Sequence, residues 1–196
     1  MPNNNSTIVH ARLIGTCFLL AFVFYGVGRF LFDSVQPASR YFGAALIMLN
    51  SISVVSIGFL LQKTLLQYNG WVGSFYLQAR IIEAIALVSL VLDLLPGIYF
   101  KSEIPYFVGM LSLGLGSIPM CWELFKSRLC PRWLAIWGIV GYSLFSFGFL
   151  SEFFGKHWSM YLLGFAGLWE VVFGCWLILK NGRHQKAVVL QMGKVV

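Results

Sequence analysis

Apolar residues concentrate in six stretches of about 20 residues, the length an α-helix needs to cross a hydrocarbon core of about 30 Å. They cover residues 13–32, 42–61, 75–95, 104–125, 133–153 and 160–179. Polar and turn-forming residues punctuate them. Segment 33–40 contains Pro37, segment 62–73 holds Lys63, Asn69 and Gly70, and Pro96-Gly97 ends the third stretch. Segment 126–132 carries Pro131, suited to the first turn of the helix that follows, and Gly155-Lys156-His157 closes the fifth stretch. The pattern predicts an all-α polytopic membrane protein: a bundle of six transmembrane helices over 13–179, with a short N-terminal segment (1–12) and a basic tail (180–196).

Composition agrees. The 196 residues are 59% hydrophobic and 11% charged, against about a quarter charged in soluble domains. So little charge cannot coat a surface that faces water, and lipid is the solvent that fits. The first stretch is longer than a signal-peptide core and no small-residue cleavage site follows it, so it is expected to be retained.

The net charge of +7 would suggest nucleic acid on a soluble protein. Here it reads as orientation, because no basic run is interleaved with aromatics on a hydrophilic surface. With the N-terminus inside, the inner basic residues are Arg12, Lys63, Arg80, Lys126, Arg128, Arg132, Lys180, Arg183, Lys186 and Lys194. The outer ones are Arg29, Arg40, Lys101 and Lys156. Ten against four predicts both termini in the cytoplasm. Cys17, Cys121, Cys130 and Cys175 all fall on the inner side, which suits a reducing compartment. Trp71, Trp122, Trp133 and Trp158 lie near span ends, where an indole sits best; Trp169 is mid-span.

Helical spacing places small residues on single faces. The fourth span aligns Gly109, Ser112, Gly116, Pro119 and Glu123, and the fifth Gly138, Gly141, Phe145, Gly148 and Glu152. The sixth aligns Gly164, Gly167, Glu170 and Gly174, and the first Gly15, Gly26, Arg29 and Asp33. Such faces allow close helix approach in lipid. Pro119 is expected to bend its helix and free a backbone carbonyl.

Three ionisable residues stand at depth, where each costs at least about 2.5 kcal/mol on insertion scales: Arg80, Glu83 and Glu170. Arg80 and Glu83 are one turn apart. Glu83 is placed about 12 Å and Glu170 about 15 Å from the inner ends of their helices. A buried Arg80–Glu83–Glu170 cluster is therefore expected, with Asn50 of the second span as a neighbour. It reads either as an interhelical clamp or as a site for a headgroup, an ion or a proton. Asp33, Asp93, Glu103, Glu123 and Glu152 are expected at water-exposed boundaries, and the tail at anionic lipid or in the ordinary positive-inside role.

No C-x-x-C, metal-ligand spacing, catalytic triad, P-loop or dinucleotide fingerprint occurs, and His10, His157 and His184 fall in separate terminal or loop segments. No metal, cofactor or disulfide framework is expected, and an enzyme is the weakest of the functional readings. The blocks at 11–15 (ARLIG), 80–83 (RIIE), 129–138 (LCPRWLAIWG) and 169–182 (WEVVFGCWLILKNG) resemble a family of bacterial membrane proteins, the domain of unknown function numbered DUF 4386. The resemblance runs from about Ala11 to Gly182 and implies six helices in a bacterial cytoplasmic membrane; it implies no activity. Two functions compete: a carrier of an ion, proton or small molecule, and an accessory protein of a membrane complex or envelope-stress response. The expected partners are the lipid bilayer, a small molecule or ion, and a second copy or membrane partner, with no nucleic acid.

Overall fold

The computed structural model describes residues 4–94, 104–152, 154–155 and 158–179; side chains are described from Val9 onward, except that of Asp93. The Pro96-Gly97 turn, Glu103, the Lys156-His157 pair and the tail at 180–196 lie outside the described residues.

Six α-helices follow one another: α1 (Asn4–Phe32), α2 (Pro37–Leu65), α3 (Gly70–Val91), α4 (Ile104–Lys126), α5 (Arg132–Glu152) and α6 (Ser159–Leu179). A 3-10 turn, Leu92–Leu94, extends α3, and no strand occurs among the described residues. Each helix is long and apolar enough to cross a membrane.

Five of the six helices begin earlier than their apolar stretches, α4 starting with its stretch at Ile104, and the starts of α2 and α3 have local reasons. Pro37 does not interrupt the chain after α1 but opens α2, where a missing amide hydrogen is harmless. Asn69 caps α3, its side chain accepting from the Val72 amide at 3.4 Å. Residues 4–12, His10 among them, belong to α1. The His10 ring meets the Leu60 carbonyl of α2 at 3.1 Å.

Each helix packs against its chain neighbours, and α6 returns to α1. The result is a closed ring in which α3 faces α6 and α1 faces α4. Glycines set the seams. A Cβ on Gly109 or Gly116 of α4 would strike Ala86 or Ala79 of α3, and one on Gly138 of α5 would stand 2.8 Å from the Trp169 ring of α6. At the closing seam, a Cβ on Gly15 would stand 2.5 Å from the Gly174 carbonyl oxygen. Gly26 and Gly164, from the same two stripes, have open space beside them, so small residues mark tight packing at some stripe positions only.

Ile52, Phe59, Ile85, Leu115, Phe147 and Leu168 point outward and are exposed. Large apolar side chains around a whole circumference are untenable in water and are ordinary solvation in lipid. Trp71, Trp122, Trp133 and Trp158 are exposed near helix ends, whereas Trp169 is fully buried. The chain is a multi-pass membrane protein.

Candidate functional site

The interior of the ring is centred on α3. Tyr76, Arg80 and Glu83 share one face of this helix at spacings of four and three residues. Arg80 donates through Nε to the Tyr76 hydroxyl at 2.8 Å and through Nη1 to Glu83 Oε2 at 2.9 Å. Its Nη2 reaches across the ring to Glu170 Oε1 of α6 at 3.1 Å. The same Glu170 oxygen accepts from the Tyr142 hydroxyl of α5 at 2.7 Å. Side-chain exposure is 2% for Arg80, 6% for Glu83 and 17% for Glu170.

The structure thus brings Arg80, Glu83 and Glu170 together, but not Asn50. Asn50 is buried on α2, and no hydrogen bond joins it to the cluster. Where α2 meets the stem of Arg80 the residue is Gly58, whose Cβ would lie 2.9 Å from that of Arg80. Eight residues separate Gly58 from Asn50, or about 12 Å along the helix axis, so Asn50 stands at a different level of α2 from the point where Arg80 leaves its helix. Glycine at 58 gives the long Arg80 stem space to leave its helix.

Two aromatic partners were not singled out by the sequence reading. Tyr76 and Tyr142 supply hydroxyls to the cluster; the signals for them in the sequence are the four-residue spacing of Tyr76 from Arg80 and the mid-span position of Tyr142. The guanidinium also lies 5.2 Å from the centre of the Tyr76 ring and 5.6 Å from that of Phe18 on α1, a cation–π arrangement that partly replaces lost hydration.

Arg80, Tyr142 and Glu170 each sit near the middle of a helix of 21 or 22 residues. At 1.5 Å per residue the cluster is about 15 Å from either end, the depth of the bilayer centre.

Aromatic side chains close over the cluster on both sides. Towards the end holding the α1 N-terminus, Trp169 stacks on Phe173 at 4.7 Å between ring centres, and Phe18 meets both edge-on. The Trp169 indole donates to the Leu134 carbonyl at 2.6 Å, which accounts for a mid-span tryptophan. Towards the other end, the Tyr25 hydroxyl of α1 donates to that of Tyr106 on α4 at 2.8 Å. Tyr106 and Phe145 pack there on Phe149.

The remaining acids divide. Asp33 pairs with Arg29 at a helix end, and Glu152 accepts from Ser159 at 2.6 Å. Glu123 is buried rather than water-exposed, because its α4 face turns into the bundle. The Asp93 side chain lies outside the described residues. Helix α4 runs unbroken through Pro119. Cys17, Cys121, Cys130 and Cys175 are free thiols, and no group of three or more metal-ligating side chains occurs among the described residues.

Comparison with curated proteins finds no match, and comparison with solved structures finds none either. A family profile does match, that of the domain of unknown function DUF4386, over residues 38–181. The match takes in five of the six helices, the whole of α3 to α6 and the Arg80–Glu83–Glu170 centre. The chain belongs to this family.

Proposed function

We propose that this protein is a small membrane carrier, for an ion, a proton or a small molecule, with the Arg80–Glu83–Glu170 centre as its binding site. The observation that supports this is a charge count. One guanidinium and two carboxylates stand at the depth of the bilayer centre. With both acids ionised the centre carries one net negative charge. A clamp that only fixed helix register would be cheapest if neutral, because uncompensated charge in a low-dielectric interior is strongly unfavourable. A site that loads and unloads a cation needs such an imbalance. The charges also link α3 to α6, helices on opposite sides of the ring, so loading acts on the packing of the whole bundle.

The distribution of Lys and Arg supports an orientation with both termini in the cytoplasm; a bacterial cytoplasmic membrane is what the family resemblance implies. Reporter fusions to each loop test this: a cytoplasmic signal from the 97–103 loop would contradict it.

The accessory reading draws on a different observation, the aromatic packing on both sides of the cluster, which also suits a rigid core. The two readings separate in proteoliposomes tested for dissipation of an imposed pH gradient and for uptake of Na+, K+ and small amines. Uptake lost in a folded Glu170→Gln variant supports the carrier. No uptake of any probe, together with one stoichiometric partner recovered by crosslinking in membranes, supports the accessory protein.

A further inference from the structure

Two buried hydroxyls of the α4–α5 pair have no hydrogen-bonding partner: Ser117 Oγ on α4 and Ser146 Oγ on α5. Their position follows from the α4–α5 seam. A Cβ on Gly114 would meet Ser146, and one on Gly138 would meet the Cys121 sulfur at 2.6 Å. These two contacts fix the register of the antiparallel pair. Ser117 falls between Gly114 and Cys121, and Tyr142 falls between Gly138 and Ser146. Ser117 and Tyr142 therefore share a level, with Ser146 one turn along from Tyr142. Buried hydroxyls without a protein partner are, as a rule, satisfied by ordered water. Glu170 and its donor Tyr142 thus stand within one helical turn of two polar groups whose hydrogen bonds no protein atom satisfies.

We propose that the ligand of the centre is a proton, that Glu170 carries it, and that Tyr142, Ser117 and Ser146, joined by water, form the path by which it arrives. The proposal rests on the carrier reading for its purpose and on separate geometry for its content. A metal cation would need several free oxygens, whereas Arg80 already holds Glu83 Oε2 and Glu170 Oε1. A proton needs no cavity and fits between closed aromatic layers.

Of the two acids, Glu83 lies one turn from Arg80 on the same helix, so their pairing survives any movement between helices. Glu170 is held from across the ring and is the more exposed of the two. The groups around Glu170 are Arg80, Glu83 and Tyr76 from α3, Tyr142 from α5 and the Cys121 thiol from α4; α1 brings the Phe18 ring. In the transfer, the Tyr142 hydroxyl passes its proton to Glu170 and takes another from the serine–water chain. One proton moves and the centre goes from one net negative charge to none. Neutral Glu170 no longer attracts Arg80 as an ion, and α6 is released from α3.

The test uses the full chain in nanodiscs, following the infrared carbonyl stretch of protonated carboxyl groups between about pH 4 and 9. A carboxyl band that disappears in Glu170→Gln and persists in Glu83→Gln is expected; a band lost only in Glu83→Gln would overturn the assignment to Glu170. Tyr142→Phe leaves both ion pairs in place, so it must shift this band by removing a hydrogen bond to the carboxyl. Absence of the band, or an unshifted band in Tyr142→Phe, would overturn the assignment even if vesicles moved another cargo. A band that behaves as expected without proton flux in proteoliposomes supports the proton site and sinks the carrier reading instead. With flux present, Ser117→Ala combined with Ser146→Ala should slow it at least about tenfold; an unchanged rate would overturn the path.

Discussion

Two arginine–carboxylate arrangements in this protein have nearly the same length and opposite surroundings. Arg29 meets Asp33 at 3.0 Å, four residues along α1, with side chains 40% and 56% exposed. Arg80 meets Glu83 at 2.9 Å, three residues along α3, and is almost completely buried. The local chemistry is the same. At a helix end, water and headgroups solvate each partner whether or not the pair forms, so the attraction adds little. At the bilayer centre neither partner has an alternative, and each additional contact matters: the Tyr76 hydroxyl, the two ring faces, the reach to Glu170 and the Tyr142 hydroxyl. An ion pair's distance therefore says little about its weight, and the environment decides it.

The largest difference should come from removing the cation of each pair. Arg80→Met keeps most of the stem volume and leaves two carboxylates facing each other without their donor. The expected loss is about 3–5 kcal/mol, the usual penalty for orphaning buried charge. Arg29→Met should cost less than about 1 kcal/mol. Reversible unfolding in mixed micelles measures both, and equal effects would collapse the contrast.

Each pair also has a glycine beside it. A Cβ on Gly58 would lie 2.9 Å from Arg80 Cβ, whereas Gly26, one turn before Arg29, has nothing within 4 Å. Gly58→Ala should push the Arg80 stem off its rotamer and destabilise by about 1–3 kcal/mol. Gly26→Ala should be neutral, or stabilise by up to about 1 kcal/mol through helix propensity. The sign difference sharpens the comparison, since the substitution is the same.

This glycine pair also shows how much was legible in the sequence. Hydropathy alone supplied six helices, because lipid demands length and apolarity whatever the details. Periodicity brought Arg80, Glu83 and Glu170 to similar depth, because rise per residue is fixed. Ring closure was not legible: it depends on Gly15 meeting Gly174, while Gly26 and Gly164 of the same stripes meet nothing. Asn50 was paired with the cluster on polarity, yet the α2 residue that matters there is Gly58, which contributes by having no side chain. Tyr76 and Tyr142 passed as apolar because tyrosine is mostly ring. A one-dimensional pattern gives depth and face; it does not say which helices oppose each other across a ring.

Glu170→Gln should be milder than loss of Arg80. Glutamine still offers an oxygen to Tyr142, and Arg80 keeps Glu83, so the centre becomes formally neutral instead of losing its donor. The expected change in unfolding free energy is about 1–2 kcal/mol of destabilisation, from weakening a charge-assisted hydrogen bond across the ring. A loss as large as that of Arg80→Met would mean that the bundle does not tolerate a neutral side chain at 170, and would count against proton loading there.

The smallest effect is expected at Asp33→Asn. Asparagine is nearly isosteric and still accepts from Arg29, and both side chains are largely exposed. The charge removed is one that water already screens within about 10 Å at moderate salt. Stability should change by less than about 0.5 kcal/mol, the range found for i,i+4 pairs on exposed helices, and the difference should shrink further as salt is raised. The corresponding salt series on Glu170→Gln should leave its effect largely intact, because its partner Arg80 is 2% exposed and buried pairs are screened much less. If both variants lost their effect in parallel as salt rose, the Arg80 centre would be in contact with bulk solvent, and the distinction between a headgroup-level pair and a midplane pair would fail at its physical root.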